Sequence, residues 1–194
     1  TEYKRIAEQF RGHLAEKGWT KPQYHIYYNH KEHYLFYPWN LDEPTRDMDF
    51  EALRYIGEIL SESFPENSAV EVLYRLDIGH FFCRNVPTCS HPREESQRAI
   101  DELGSVVDLW NIGYAHFFPN AEKAQELKAK GKTIYFYGPT SSAIDEPLLE
   151  AVLWGWKGYR YKVDGICLWH STDWTDWDTD APPPDALAFG DWKY

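Results

Sequence analysis

Five runs rich in β-forming residues, each divided from the next by a run with apolar residues at helical spacing, predict an α/β fold built on parallel strands. Parallel pairing follows because a helix between two strands carries the chain back to the same end of the sheet by a right-handed crossover. A second observation marks one end of that sheet. Polar and aromatic residues gather after the strands' carboxyl ends, at Asn29 and His30, Asp77 to His80, Trp110 and Asn111, Gly138 to Ser142, and His170 to Trp177. The turns leading into the strands are shorter and plainer. An α/β barrel with its site on one face has this asymmetry, and so does an open doubly wound sheet, which also binds ligands at its strands' carboxyl ends.

The elements follow in order. Tyr3, Ile6, Phe10 and Leu14 make an amphipathic helix of Glu2 to Lys17, which Gly18 ends. Gln23 to Tyr28 is a strand rich in aromatic residues, and Asn29 to Leu41 a long loop. Phe50, Leu53, Ile56, Gly57 and Leu60 mark the second helix, closed by Phe64-Pro65, and Val70 to Asp77 is the second strand. A helix from about Arg93 to Leu103 leads to a strand at Val106 to Trp110, and a helix from about Asn120 to Lys130 leads to a strand at Thr133 to Tyr137. A helix from about Pro147 to Tyr159 precedes the last strand, Gly165 to Trp169, and a tail dense in Trp, Asp and Pro.

The length of 194 residues suits one domain, residues 1–194, with room for a sizeable core. Lys and Arg number 20 against 31 Asp and Glu, a net charge of −11, which repels phosphate backbones and anionic membranes and argues against nucleic-acid or membrane partners. No apolar run approaches the roughly 20 residues that cross a bilayer, and Thr1 to Phe10 is charged and helical rather than signal-like, so the chain reads as soluble. Cys83 and Cys89, six positions apart in a loop-like stretch, leave a small-loop disulfide open, while Cys167 reads as a small buried hydrophobe. No G-x-G-x-x-G occurs, and Gly131-Lys132 lacks the upstream glycine of a phosphate loop, so no nucleotide cofactor is expected.

The densest chemistry is at Trp39-Asn40-Leu41-Asp42-Glu43-Pro44, where a polar, aromatic loop ends in two adjacent carboxylates. A helix start alone accounts for acidic groups and a proline at such a place. The pair also suits acid/base work, and the chain's 9 Trp and 14 Tyr include rings near strand ends, where flat aromatic surface suits stacking under a sugar.

His13-Leu14-Ala15-Glu16-Lys17-Gly18-Trp19, Leu41-Asp42-Glu43-Pro44, Tyr74-Arg75-Leu76-Asp77, Val107-Asp108-Leu109-Trp110 and Val163-Asp164-Gly165-Ile166-Cys167-Leu168-Trp169, in this order and spacing, resemble the later part of the catalytic barrel of glycoside hydrolase family 123 and the related domain-of-unknown-function family 4091. The resemblance covers nearly the whole chain. It implies a partial TIM-type (β/α)8 barrel whose five strands correspond to about the fourth through eighth, with further polypeptide supplying the missing strands. The long segment His30 to Asn40 departs from the shorter family versions.

The resemblance further implies a retaining glycosidase that removes terminal N-acetyl-β-galactosamine from glycans. Neighbouring carboxylates cannot readily take opposite sides of an anomeric carbon at the roughly 5 to 9.5 Å separation of most glycosidases, and fit instead a route in which the substrate's own acetamido group attacks. Asp42 would orient that group, and Glu43, its pKa raised by apolar walls and by Asp42, would protonate the leaving oxygen. Tyr28, Trp39 and Trp110 are the expected walls, Asn29, Asn40, Asp77, Asn111 and His170 the expected polar contacts, and Trp169 or Trp174 the stacking surface. The expected partner is a glycan, with no metal or cofactor, in a secreted or periplasmic setting.

Other chemistries are weaker in the residues. His30-x-x-His33 with His25 lacks the further rigid ligand of a zinc site, and Asp173, Asp176, Asp178 and Asp180 lack the glycine of a calcium loop. No G-x-S-x-G elbow occurs. A glycosidase with an ordinary nucleophile elsewhere would cleave sugars without the acetamido group. The main rival is a carbohydrate-binding or structural barrel without turnover, since a barrel does not fix a function.

Overall fold

The computed structural model describes residues 1–28, 38–42, 44, 46–65, 67–78, 92–113, 117–139 and 149–169. Helices α1 (Glu2–Glu16), α2 (Asp47–Ser63), α3 (Pro92–Leu103), α4 (Ala121–Ala129) and α5 (Leu149–Arg160) alternate with strands β1 (Gln23–Ile26), β2 (Glu71–Ile78), β3 (Leu109–Gly113), β4 (Thr133–Pro139) and β5 (Gly165–Trp169). Thr1 caps α1 by accepting the Lys4 amide on Oγ1 at 3.3 Å, and Gly18, at φ 69°, turns the chain out of it in a left-handed conformation that side chains resist.

All four strand pairings are parallel, in the spatial order β1-β2-β3-β4-β5. A sequential order with right-handed crossovers puts every helix on one face, so the doubly wound alternative, which needs a reversal of strand order, does not apply. The sheet curls into a half-barrel. Its curvature is measurable. In a flat sheet β1 and β4 would stand about 14 Å apart, yet the rings of His25 on β1 and Tyr135 on β4 lie 6.0 Å apart between centroids. Arg75 on β2 likewise reaches Cys167 on β5, Nη2 to Sγ 3.6 Å.

Alternation divides the strand residues between two faces. Tyr74, Leu76, Ile78, Trp110, Ile112, Ile134 and Phe136 point to the helices and form the core with Leu53, Leu103, Phe117 and Trp154. The other face holds His25, Arg75, Asp77, Asn111, Tyr135 and Cys167, as the register pairs Asp77↔Asn111 and Asn111↔Tyr135 require. Close packing on the helix side has its own sequence mark: a Cβ added at Gly138 would lie 2.3 Å from the Trp154 ring.

The bounds of β1 to β4 differ from expectation, most of all at β3. β3 starts at Leu109 rather than Val106, because the Val106 and Val107 amides both donate to the Leu103 carbonyl and close α3. β1 ends at Ile26, two residues early.

The repeated Val-Asp pairs are architectural. Asp108 accepts the Tyr74 amide at 3.1 Å and the Lys132 ammonium at 3.1 Å, and Asp164 accepts the Ile134 amide at 3.0 Å and the Lys128 ammonium at 2.6 Å. Each aspartate thus ties its own strand's entry to the neighbouring strand, at the end opposite the carboxyl ends. A hydrogen bond to a charged group contributes about 1.5 to 3 kcal/mol.

Candidate functional site

The period of two along β2 puts Arg75 and Asp77 on the concave face, near the carboxyl end of the strand. There the guanidinium forks onto the carboxylate, Nε to Oδ1 2.6 Å and Nη2 to Oδ2 2.6 Å. Asn111, opposite Asp77 in register and fully buried, donates from Nδ2 to the same Oδ2 at 2.8 Å. Its Oδ1 has no hydrogen-bond partner among the described residues.

Tyr27, one residue past β1, continues the concave face. Its ring lies under the Arg75 guanidinium, with the guanidinium carbon 4.7 Å from the ring centroid, and its hydroxyl donates to Asp42 Oδ1 at 2.5 Å. Asp42 is 6% exposed. It is held from below by its own loop: the buried Asp49 carboxylate accepts the Asn40 amide at 3.0 Å and the Arg46 amide at 2.9 Å, while Arg46 Nη2 donates to the Pro38 carbonyl at 2.7 Å. Asp49 sits in the first turn of α2, so the helix start and the loop bearing Asp42 are one unit.

Charge is concentrated where water is scarce. Burial pushes the Asp77 carboxyl above its ordinary range, and the nearby Asp42 adds to this, against the downward pull of Arg75 and Asn111. Burial, then the charges of Asp77 and Asp42, hold the Tyr27 hydroxyl firmly protonated, so it is a donor throughout the working pH range. His25 is shifted downward, first by burial and then by Arg75. The cluster can therefore hold a carboxylate in one orientation and present a neutral hydroxyl beside it.

Of the residues expected at a site, Asp42, Asn40, Asp77 and Asn111 lie at the carboxyl end of the strands, joined through Tyr27, Arg75 and Asp49. Trp39 is beside them in sequence and 39% exposed. Trp110 does not belong to the group: register with Leu76 places it on the helix face, 0% exposed, so it is a core residue and no wall of a pocket. Tyr28 also turns to the helix side, its ring 6.2 Å from both Tyr3 and Tyr74. Trp169 closes β5 opposite Pro139, with only its backbone described. Asn29, Glu43, His170 and Trp174 lie outside the described residues, as do His30, His33, Cys83, Cys89 and the Asp173 to Asp180 cluster.

Cys167 corrects a different expectation. It is half-buried on the concave face against Arg75 rather than packed among hydrophobes. Among the described residues no group of three His, Cys, Asp or Glu side chains is placed to hold a metal ion, and no helix is long and apolar enough to cross a membrane.

Sequence reasoning passed over Tyr27, Arg75 and Asp49. Arg75-x-Asp77 within a strand was the available signal, since two residues apart means the same face. No protein-family model matches the chain, and no curated protein matches it.

Proposed function

We propose that this chain is the later part of a TIM-type (β/α)8 catalytic barrel and that it removes terminal N-acetyl-β-hexosamine, of the N-acetyl-β-galactosamine kind, with retention. The observation that carries the proposal is Asp42, nearly buried at the carboxyl end of the strands, fixed by the Tyr27 hydroxyl and followed directly by Glu43. An acceptor so oriented suits the acetamido N–H of a bound sugar. Holding that N–H turns the acetamido carbonyl oxygen onto the anomeric carbon, and the positive charge that develops on the acetamido group is stabilised by the carboxylate. The new C–O bond closes a five-membered ring as the glycosidic bond breaks. Glu43, in the role the family resemblance implies, gives its proton to the leaving oxygen and then takes one from the water that reopens the ring.

Apolar side chains at both edges of the half-barrel support the need for further polypeptide. α1 exposes Ile6 and Phe10, and α5 exposes Leu149, Val152, Leu153, Trp156 and Tyr159 at helical spacing, with Trp156 66% and Tyr159 81% exposed. Among the described residues β1 and β5 each pair on one side only, which asks for the same cover.

A non-catalytic glycan-binding or structural barrel is the second reading, favoured by one observation: both oxygens of Asp77 are already taken by Arg75 and Asn111. The deciding experiment compares hydrolysis of a chromogenic N-acetyl-β-galactosaminide with that of the matching β-galactoside, using this chain, any longer form containing it, and Glu43→Gln. Cleavage of the acetamido sugar alone, lost in the variant, is the expected result. Cleavage of both sugars points to an ordinary nucleophile elsewhere, and no cleavage by any form supports the non-catalytic barrel.

A further inference from the structure

We propose that Arg75 is a positioning residue that sets the orientation of Asp42 through Tyr27. The inference rests on the reading of Asp42 as the working carboxylate, but its geometry is independent of the reaction. Arg75 meets three side chains from different parts of the concave face: it forks onto Asp77 of its own strand, touches Cys167 across the curl, and stands over the Tyr27 ring with its guanidinium carbon 4.7 Å from the centroid. Asn111 holds the carboxylate that holds Arg75. The guanidinium is therefore anchored on two sides where it meets Tyr27, and a cation so fixed favours the ring position in which the phenol face stays against it. From that place the hydroxyl reaches Asp42. The chain of contact runs Asn111, Asp77, Arg75, Tyr27, Asp42, and Arg75 is the link that joins a strand-borne pair to a loop-borne carboxylate.

A lysine cannot replace it. Its ammonium keeps the charge and loses both the fork and the flat face. This separates positioning from mere charge compensation, which Lys would restore.

The test is the hydroxyl proton of Tyr27. A phenol held on a carboxylate in a site this buried gives a downfield, slowly exchanging proton resonance, assigned by its disappearance in Tyr27→Phe. The expected result is loss of that resonance in Arg75→Gln and in Arg75→Lys, with the far-ultraviolet dichroism unchanged. Where Arg75→Gln leaves Asp77 charged and unpaired and the protein fails to fold, Arg75→Gln with Asp77→Asn removes the orphaned charge and is read in the same way. Persistence of the resonance in a folded variant without Arg75 overturns the proposal, as does its absence from the unaltered protein. In any form of the protein that turns over the acetamido sugar, Arg75→Lys is expected to lower kcat by about tenfold or more with little change in KM, the mark of an interaction made in the transition state. Equal kcat in Arg75→Lys overturns the positioning role, whereas inactivity of the unaltered protein counts against the glycosidase reading alone and leaves the resonance to decide on Arg75.

Discussion

The Asp49 carboxylate accepts the backbone amide of Asn40 at 3.0 Å, across nine positions of sequence, from inside the first turn of α2. It also accepts the Arg46 amide and the Arg46 guanidinium, so one side chain with 0% exposure ties both ends of the segment that carries Asp42. Replacing it with alanine takes the carboxylate away from two amides and from the Arg46 guanidinium, which keeps its bond to the Pro38 carbonyl. Asp49→Ala is expected to cost about 3 kcal/mol, from the loss of charge-assisted bonds of about 1.5 to 3 kcal/mol each with partial relief by water at the exposed side of Arg46. Urea unfolding measures the loss, and hydrogen exchange at the Asn40 and Arg46 amides should quicken well beyond the global change. Exchange that tracks only global stability would mean that the segment is held elsewhere.

Gly57 lies in the interior of α2, where alanine ordinarily gains about 1 kcal/mol. Here a Cβ would meet the Val106 Cβ at 2.6 Å and the Tyr74 ring at 3.0 Å. Val106 cannot easily retreat, because its amide is bound to the Leu103 carbonyl and its side chain is buried. Overpacking of about 1 to 3 kcal/mol then outweighs the propensity gain. Gly57→Ala should be less stable than the unaltered protein by about 1 kcal/mol in urea unfolding, and a more stable variant would show that α2 can slide away from the sheet.

His25 offers a pH readout of the concave face. Its folded pKa is lowered from 6.5 by burial and by Arg75, so as pH falls the unfolded chain takes up the proton first. The stability tied to His25 is therefore complete above pH 6.5, declines below it, and is lost once pH has fallen through the folded value. His25→Gln should flatten that part of a plot of melting temperature against pH. In nuclear magnetic resonance the His25 imidazole should titrate below 6.5, and Arg75→Gln should move it upward. A titration unmoved by Arg75→Gln would separate the two residues electrostatically.

What the sequence revealed of this fold depended on period and punctuation. β4 and β5 stood out because Thr133 to Tyr137 and Gly165 to Trp169 are short β-rich runs between helical patterns. The strand before them was displaced because Val106 and Val107 have β-forming side chains but spend their amides on the end of α3. Parity was legible and was underused. Tyr27 and Tyr28 are adjacent aromatics after one strand, yet only Tyr27 continues the concave face, and a Trp110 in register with Leu76 had to join the core. Curl was not legible, and the meeting of Arg75 with Cys167 depends on it, since flat β2 and β5 would hold them apart. Nor was the anchoring of the Asp42 loop, because Arg46 is an unusual helix cap and its reciprocal bond to Asp49 has no common sequence signature.

Tyr27→Phe removes one oxygen from the site and leaves the ring on which Arg75 rests. Asp42 then loses the short bond from a hydroxyl that burial keeps protonated, while remaining almost closed to water. Two consequences separate. In stability the variant should lose about 1 to 3 kcal/mol, the cost of withdrawing a partner from a buried acceptor. On the proposed reading, turnover of an N-acetyl-β-galactosaminide by an active form of the protein should fall in kcat by about tenfold or more with KM nearly kept, because the carboxylate would then be misaligned for charge developing on the acetamido group. Tyr24→Phe is the control: its hydroxyl donates to the Trp19 carbonyl at 2.9 Å at an exposed position away from the cluster, and its kcat should be unchanged. A Tyr27→Phe enzyme of full kcat would mean that Asp42 needs no orienting hydroxyl, and that its short contact with Tyr27 serves the fold.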